Sequence, residues 1–174
     1  MRPSVIFALF FVLPLTACNS GRIDLECPVV SVLGEAATMT KFRAEAGYDM
    51  TDVVYEAQMA YPEASSCDAD ERSVEADIAA TIRVRRGAAS DGGEIGVPYF
   101  IAVIGPDSAV ISKQTYMKRV SFADSASIEV EIDMGEVKFP LATDRKAYHY
   151  EVVVGFQLAA DELQYNRQRR HLGS

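Results

Sequence analysis

The chain has no tryptophan, and only two histidines and three cysteines among its 174 residues. Scarce histidine narrows the chemistry at once. Zinc needs three or four His, Cys or carboxylate ligands gathered together, and the sequence offers no such cluster. A Ser-His-Asp site would have to use His149, because His171 falls in a polar tail, and no G-x-S-x-G setting surrounds any serine. Gly92-Gly93 lacks the strand-to-helix setting and the Lys-Ser/Thr pair of a phosphate-binding loop. No apolar run reaches the roughly 20 residues that a membrane-spanning helix requires. Positive charge is also short, with 17 Lys+Arg against 25 Asp+Glu and a net charge of −8. That balance excludes nucleic acid as a partner, since its phosphates demand a basic face, and weighs against anionic lipid headgroups. Acidity is otherwise a statement about solubility.

What is present is concentrated first at the N-terminus. Met1-Arg2 supplies one positive charge, Val5 to Leu13 is uninterruptedly apolar, and Pro14 breaks the run before Leu15-Thr16-Ala17-Cys18. A basic start, a short hydrophobic core and small residues at the cut are the parts of a secretory signal. The four-residue motif resembles the lipobox of bacterial lipoproteins. That resemblance implies cleavage before Cys18, a thioether-linked diacylglycerol on its sulfur and an acylated amino group. It makes residues 1–17 a leader and 18–26 a lipidated linker. Two or more acyl chains hold a protein stably on a bilayer, each buried methylene contributing about 0.8 kcal/mol. Asn19, where enteric inner-membrane lipoproteins carry aspartate, leans toward the outer membrane. The linker Asn19 to Glu26 (NSGRIDLE) is polar, and eight extended residues reach only roughly 27 Å.

With Cys18 assigned to lipid by that resemblance, Cys27 and Cys67 remain, an even pair in an oxidising compartment. The expected disulfide closes a loop of about 40 residues, for which the chain-entropy model gives roughly 4 kcal/mol. The alternatives are two buried thiols or a metal or redox pair. The latter lacks a C-x-x-C and a neighbouring histidine.

Residues 27–170 read as one domain of short strands joined by turns. Pro28 to Leu33 is Val-rich, and Ala37 to Arg43 follows a turn at Gly34-Glu35. Val53, Tyr55, Ala57 and Met59 alternate up to Pro62, which reads as a stop, and Pro62 to Arg72 reads as a polar loop. Ala76, Ile78, Ala80, Ile82 and Val84 mark one buried face of a half-buried antiparallel strand. Gly87 to Gly96 reads as a flexible hairpin loop. Val97 to Ile104 is apolar on both faces, the pattern of a central strand, with Pro98 near its start. Ala109 to Ser112 returns and Thr115 to Phe122 continues extended, Ile128 to Met134 alternates with acids, and Tyr148 to Leu158 is the strongest strand of all. Asp161 to Arg170 suits a short helix with arginines in its last turn, and 171–174 a frayed tail. The expected fold is mainly β: an antiparallel β-sandwich, immunoglobulin-like or fibronectin-like, with a short C-terminal helix. A small barrel is the alternative.

Three groups stand out as candidate sites. Asp68, Asp70 and Glu71 place hard oxygen ligands beside Cys67, where they would serve calcium, although the glycine and distal glutamate of an EF-hand loop are missing. Arg167, Arg169 and Arg170 form the one basic cluster, a candidate partner contact through complementary charge. The eight tyrosines suit interface anchors as well as a core rim. His149, opposite the tyrosines of its strand, is expected to face solvent. Gly155-Phe156-Gln157-Leu158 with Asp161 to Arg167 resembles the C-terminus of small alphaproteobacterial envelope lipoproteins. No cofactor and no catalytic group is implied. The functional expectation is a lipid-anchored envelope protein that docks to another envelope protein without catalysing a reaction; the alternative is a small-molecule or calcium binder.

Overall fold

The computed structural model describes residues 27–44, 47–122 and 125–172. The apolar leader, the Leu15–Cys18 motif with the lipidation candidate Cys18, and the linker lie outside the described residues, as do residues 173–174. Eight strands form two packed four-stranded sheets: β1 (Val29–Val32), β2 (Thr38–Phe42), β3 (Val53–Ala69), β4 (Ser73–Arg86), β5 (Glu94–Ile104), β6 (Val110–Ser121), β7 (Ser127–Pro140) and β8 (Glu151–Phe156). The first sheet has the order β1-β8-β5-β6 and the second β2-β3-β4-β7. All pairings are antiparallel except that of β1 with β8. Among the described residues one α-helix, α1 (Ala160–Leu172), follows β8. The expected two-layer antiparallel sandwich with a terminal helix is what the chain builds.

Period-two patterning explains the packing. Ala76, Ile78, Ala80, Ile82 and Val84 of β4 are all buried, and they meet Val97, Tyr99, Ile101 and Val103 of β5 and Val152, Val154 and Phe156 of β8 in one core. The strands run end to end in both sheets. β4 leads from one end of the sandwich to Gly87, and β5 returns, so the glycine-rich segment 87–93 crosses between sheets and does not close a hairpin. At the other end lie Cys27, the β3–β4 turn, the β5–β6 turn at Gly105–Ala109 and the long connection from Leu141 to Tyr150. Across the first sheet Val29, Glu151 and Ile104 stand side by side there.

Four boundaries differ from the sequence reading, each for a local reason. The expected polar loop 62–72 is strand as far as Ala69. Pro62 does not end β3, because it sits in a bulge between Ala60 and Glu63 where its missing N–H costs no ladder bond. Pro98 lies inside β5, just before β8 begins to pair at Tyr99, so its edge also needs no donor. The strand expected from Tyr148 starts only at Glu151, since Ala147–His149 forms a single 3-10 turn that leaves Tyr148 exposed. The helix begins at Ala160 and takes in His171 and Leu172, which the sequence reading assigned to a frayed tail.

Candidate functional site

The end of the sandwich that carries Cys27 is the most elaborated part of the molecule. The Cys27–Cys67 disulfide, with Cα atoms 6.0 Å apart, ties the entry to β1 in one sheet to β3 in the other. Three residues beyond Cys67 the β3–β4 turn is built by Asp70, whose Oδ1 accepts from the backbone N–H groups of Arg72 at 2.6 Å and Ser73 at 2.7 Å. Those two backbone donors hold its carboxyl below the ordinary aspartate range. Asp68 stands in β3 opposite Glu75, and Glu71 is exposed at the tip. The acidic group is thus spread along a strand and its turn, with one oxygen engaged by backbone. Among the described residues no group of three or more His, Cys, Asp or Glu side chains is placed to hold a metal ion.

Two open recesses adjoin at this end and share Leu141. One, of about 400 Å³, lies between Asp70 and Glu71 on one side and Lys146 and Tyr148 on the other. Its neighbour, of about 490 Å³, is lined by Pro106, Ile111, Pro140, Leu141, Arg145 and Tyr150 among others. The Tyr150 ring packs on Phe139 with centroids 5.1 Å apart, and its hydroxyl accepts from the Ala142 N–H at 2.8 Å. That bond pins the β7–β8 connection against the core. His149, expected in solvent, is half-buried: its Nδ1 accepts from the Lys146 N–H at 2.9 Å and its ring lies 4.3 Å from that of Tyr148. Its role here is to close a turn.

The two outer faces of the sandwich differ sharply in chemistry. On the second sheet, cross-strand rows run Glu56–Arg85–Ser127, Gln58–Arg83–Glu129 and Ala60–Thr81–Glu131. Arg83 donates through Nε to Glu129 at 2.8 Å, and Arg85 pairs with Glu56. Such charge-laced rows are the usual solvent face of an antiparallel sheet. The first sheet turns outward Phe100, Ala102 and Ile104 from β5, Val153 and Gly155 from β8, Val29 from β1 and Met117 from β6. Phe100, Ala102 and Val153 form a second apolar cluster with Ala36, separate from the main core. Lys113 lies over the Phe100 ring at 4.4 Å, and Met117 and Val29 remain 60% and 57% exposed at the margins. A sheet with apolar residues on both faces needs cover on its outer side; Ala36 and Leu158 supply it for Phe100, Ala102 and Val153, which are buried, and the margin at Val29 and Met117 stays open.

The signal for this face in the sequence is the all-apolar run Val97 to Ile104, whose pattern is that of a central strand. β5 is central, between β8 and β6. Centrality within a sheet accounts for the backbone pairing; the outward Phe100, Ala102 and Ile104 are apolar because they pack with Ala36, Val153 and Leu158 in a second cluster.

The basic cluster lies on α1, and its arginines make contacts within the chain. Arg167 forms two hydrogen bonds to the Glu35 carboxylate at 3.2 and 2.9 Å. Arg169 approaches Glu56 at 3.6 Å and stacks over Tyr165. Arg170 lies beside Gly34. Asn166 adds two donor bonds, to the carbonyls of Glu35 and Thr38. These contacts bind the helix to the edge at β2, and none of them requires a second molecule. No protein-family model matches the chain, and no curated protein matches it.

Proposed function

We propose that this chain is an envelope lipoprotein, anchored through lipid on Cys18, whose β-sandwich docks without catalysis onto another envelope protein through the outer face of its first sheet. The Cys27–Cys67 disulfide supports an oxidising compartment, in keeping with the lipobox resemblance. The observation that carries the docking reading is the contrast between the two outer faces. One is ordered by ion pairs; the other is apolar, with Phe100, Ala102 and Val153 buried under the chain's own Ala36 and Leu158 and with Val29 and Met117 left exposed at its margins. The partner is a protein with an apolar strip; Lys113 beside Phe100 favours an acidic residue at its border.

Photo-crosslinking in the native envelope tests this directly. A photoreactive residue at Met117 is expected to give a discrete adduct with one protein, while the same residue at Glu131, on the outer face of the second sheet, gives none. Absence of an adduct at 117, or equal adducts at both positions, would count against the reading. The recess of about 490 Å³ lined by Ile111, Leu141 and Tyr150 has the size and mixed lining of a small-ligand pocket, which keeps a second reading, a small-molecule binder, in play. A thermal-shift screen with apolar ligands and calcium separates the two, since the docking reading expects no ligand to raise the midpoint.

A further inference from the structure

We infer that the disulfide end of the sandwich is the membrane-facing end, and that its apolar rim of Pro106, Val110, Ile111 and Tyr148 rests at the headgroup level of the bilayer. This orientation rests on the lipid-anchor reading of Cys18 and goes beyond it. Between Cys18 and Cys27 there are eight residues, whose greatest reach is roughly 27 Å. Cys27 is fastened to Cys67, so that tether starts from one defined end of the domain and cannot be lengthened by peeling β1 away. β4 has 14 residues and measures about 46 Å along its length. The tether is therefore too short to run back along the domain and bring the opposite end to the bilayer.

The end held in this way has the side chains for such a contact. Val110 is 62% exposed, Ile111 44% and Tyr148 45%, Pro106 is exposed at the turn, and Arg145 and Lys146 are exposed on the adjoining connection. A tyrosine with an apolar body and a polar tip, beside basic residues, suits the headgroup zone. Asp70, Glu71, Asp107 and Asp144 share the same end and are exposed. They forbid deep insertion and disfavour anionic lipid, so the affinity comes from the acyl chains and the rim only sets orientation.

The test uses the lipidated full chain reconstituted into phosphatidylcholine vesicles, with Cys27 and Cys67 intact. An environment-sensitive fluorophore is placed on Ile111→Cys or, at the opposite end, on Ala88→Cys; both positions lie at the surface. A lipid quencher at headgroup depth is expected to quench the label at 111 several-fold more than the label at 88. Equal quenching, or stronger quenching at 88, would overturn the orientation while leaving the anchor intact. Intact-mass measurement of the same samples separates the two failures: a chain with unmodified Cys18 refutes the lipoprotein reading and this inference with it.

Discussion

Gly87 shows how a single residue can be misread from composition. Within GAASDGGEIG it looks like one of several glycines that loosen a loop. In the structure a Cβ built on Gly87 would lie 2.0 Å from the carbonyl oxygen of Val53, a backbone atom that cannot swing aside. The close approach exists because the Gly87 N–H donates to Val54 and the Ala89 N–H to Val53, both at 2.9 Å, fixing the crossover to β3. Gly87→Ala must break those bonds or shift β3, and we expect a loss of about 2–4 kcal/mol, the range of named backbone and hydrogen-bond defects. Gly93→Ala, which meets nothing within 4 Å, should stay within about 0.5 kcal/mol. Paired denaturant titrations of the two variants check this, and equal midpoints would remove the distinction. Sequence cannot separate such glycines, because the reason lies in a strand more than 30 residues away.

The strands were legible wherever one face is buried and the other wet, as in β4 and β7, because period two is written directly into the side chains. Legibility failed where pairing, and not burial, makes the strand. The far half of β3 is polar and only partly buried, and it is held by its ladder to β4. The helix is legible in its terminal arginines, but its docking is not, because polar groups fasten it. Ala159 at its start has no capping side chain. Glu162 supplies the missing partner, accepting the Ala159 N–H at 2.8 Å while Lys41 reaches the same carboxylate at 2.9 Å. Glu162 is 6% exposed, whereas the Lys41 side chain is 49% exposed. Loss of the cap should therefore outweigh loss of the ion pair. Glu162→Ala is expected to cost about 1–2 kcal/mol and Lys41→Ala under about 1 kcal/mol. Thermal unfolding with amide exchange over the first turn of α1 checks the order, which would be reversed if the salt bridge were the main fastening.

At the scale of the whole molecule, the bridge and the two unlike faces combine into one arrangement. The disulfide fixes which end of the domain Cys27 lies at; under the proposed lipid anchor, strands standing on that end would carry both outer faces up and away from the bilayer. In that proposed orientation the docking face would point sideways, where a neighbouring envelope protein could reach it without displacing lipid. The bridge also joins the sheets at the end where the β3–β4 hairpin extends furthest, so its removal acts on the fold as a unit. The separation of 40 residues gives roughly 4 kcal/mol from the chain-entropy model, a large share of the stability of a domain this size. We expect Cys27→Ser to lower the denaturant midpoint strongly and to steepen the dependence on denaturant, since the unbridged denatured chain exposes more surface. The double variant Cys27→Ser, Cys67→Ser should match it, since both simply leave the loop open. Adding reductant should bring the native chain to the same midpoint and leave the double variant where it is. A native chain that keeps its midpoint under full reduction would show that β1 holds its place by pairing with β8 alone, and the fixed origin of the tether would go with it.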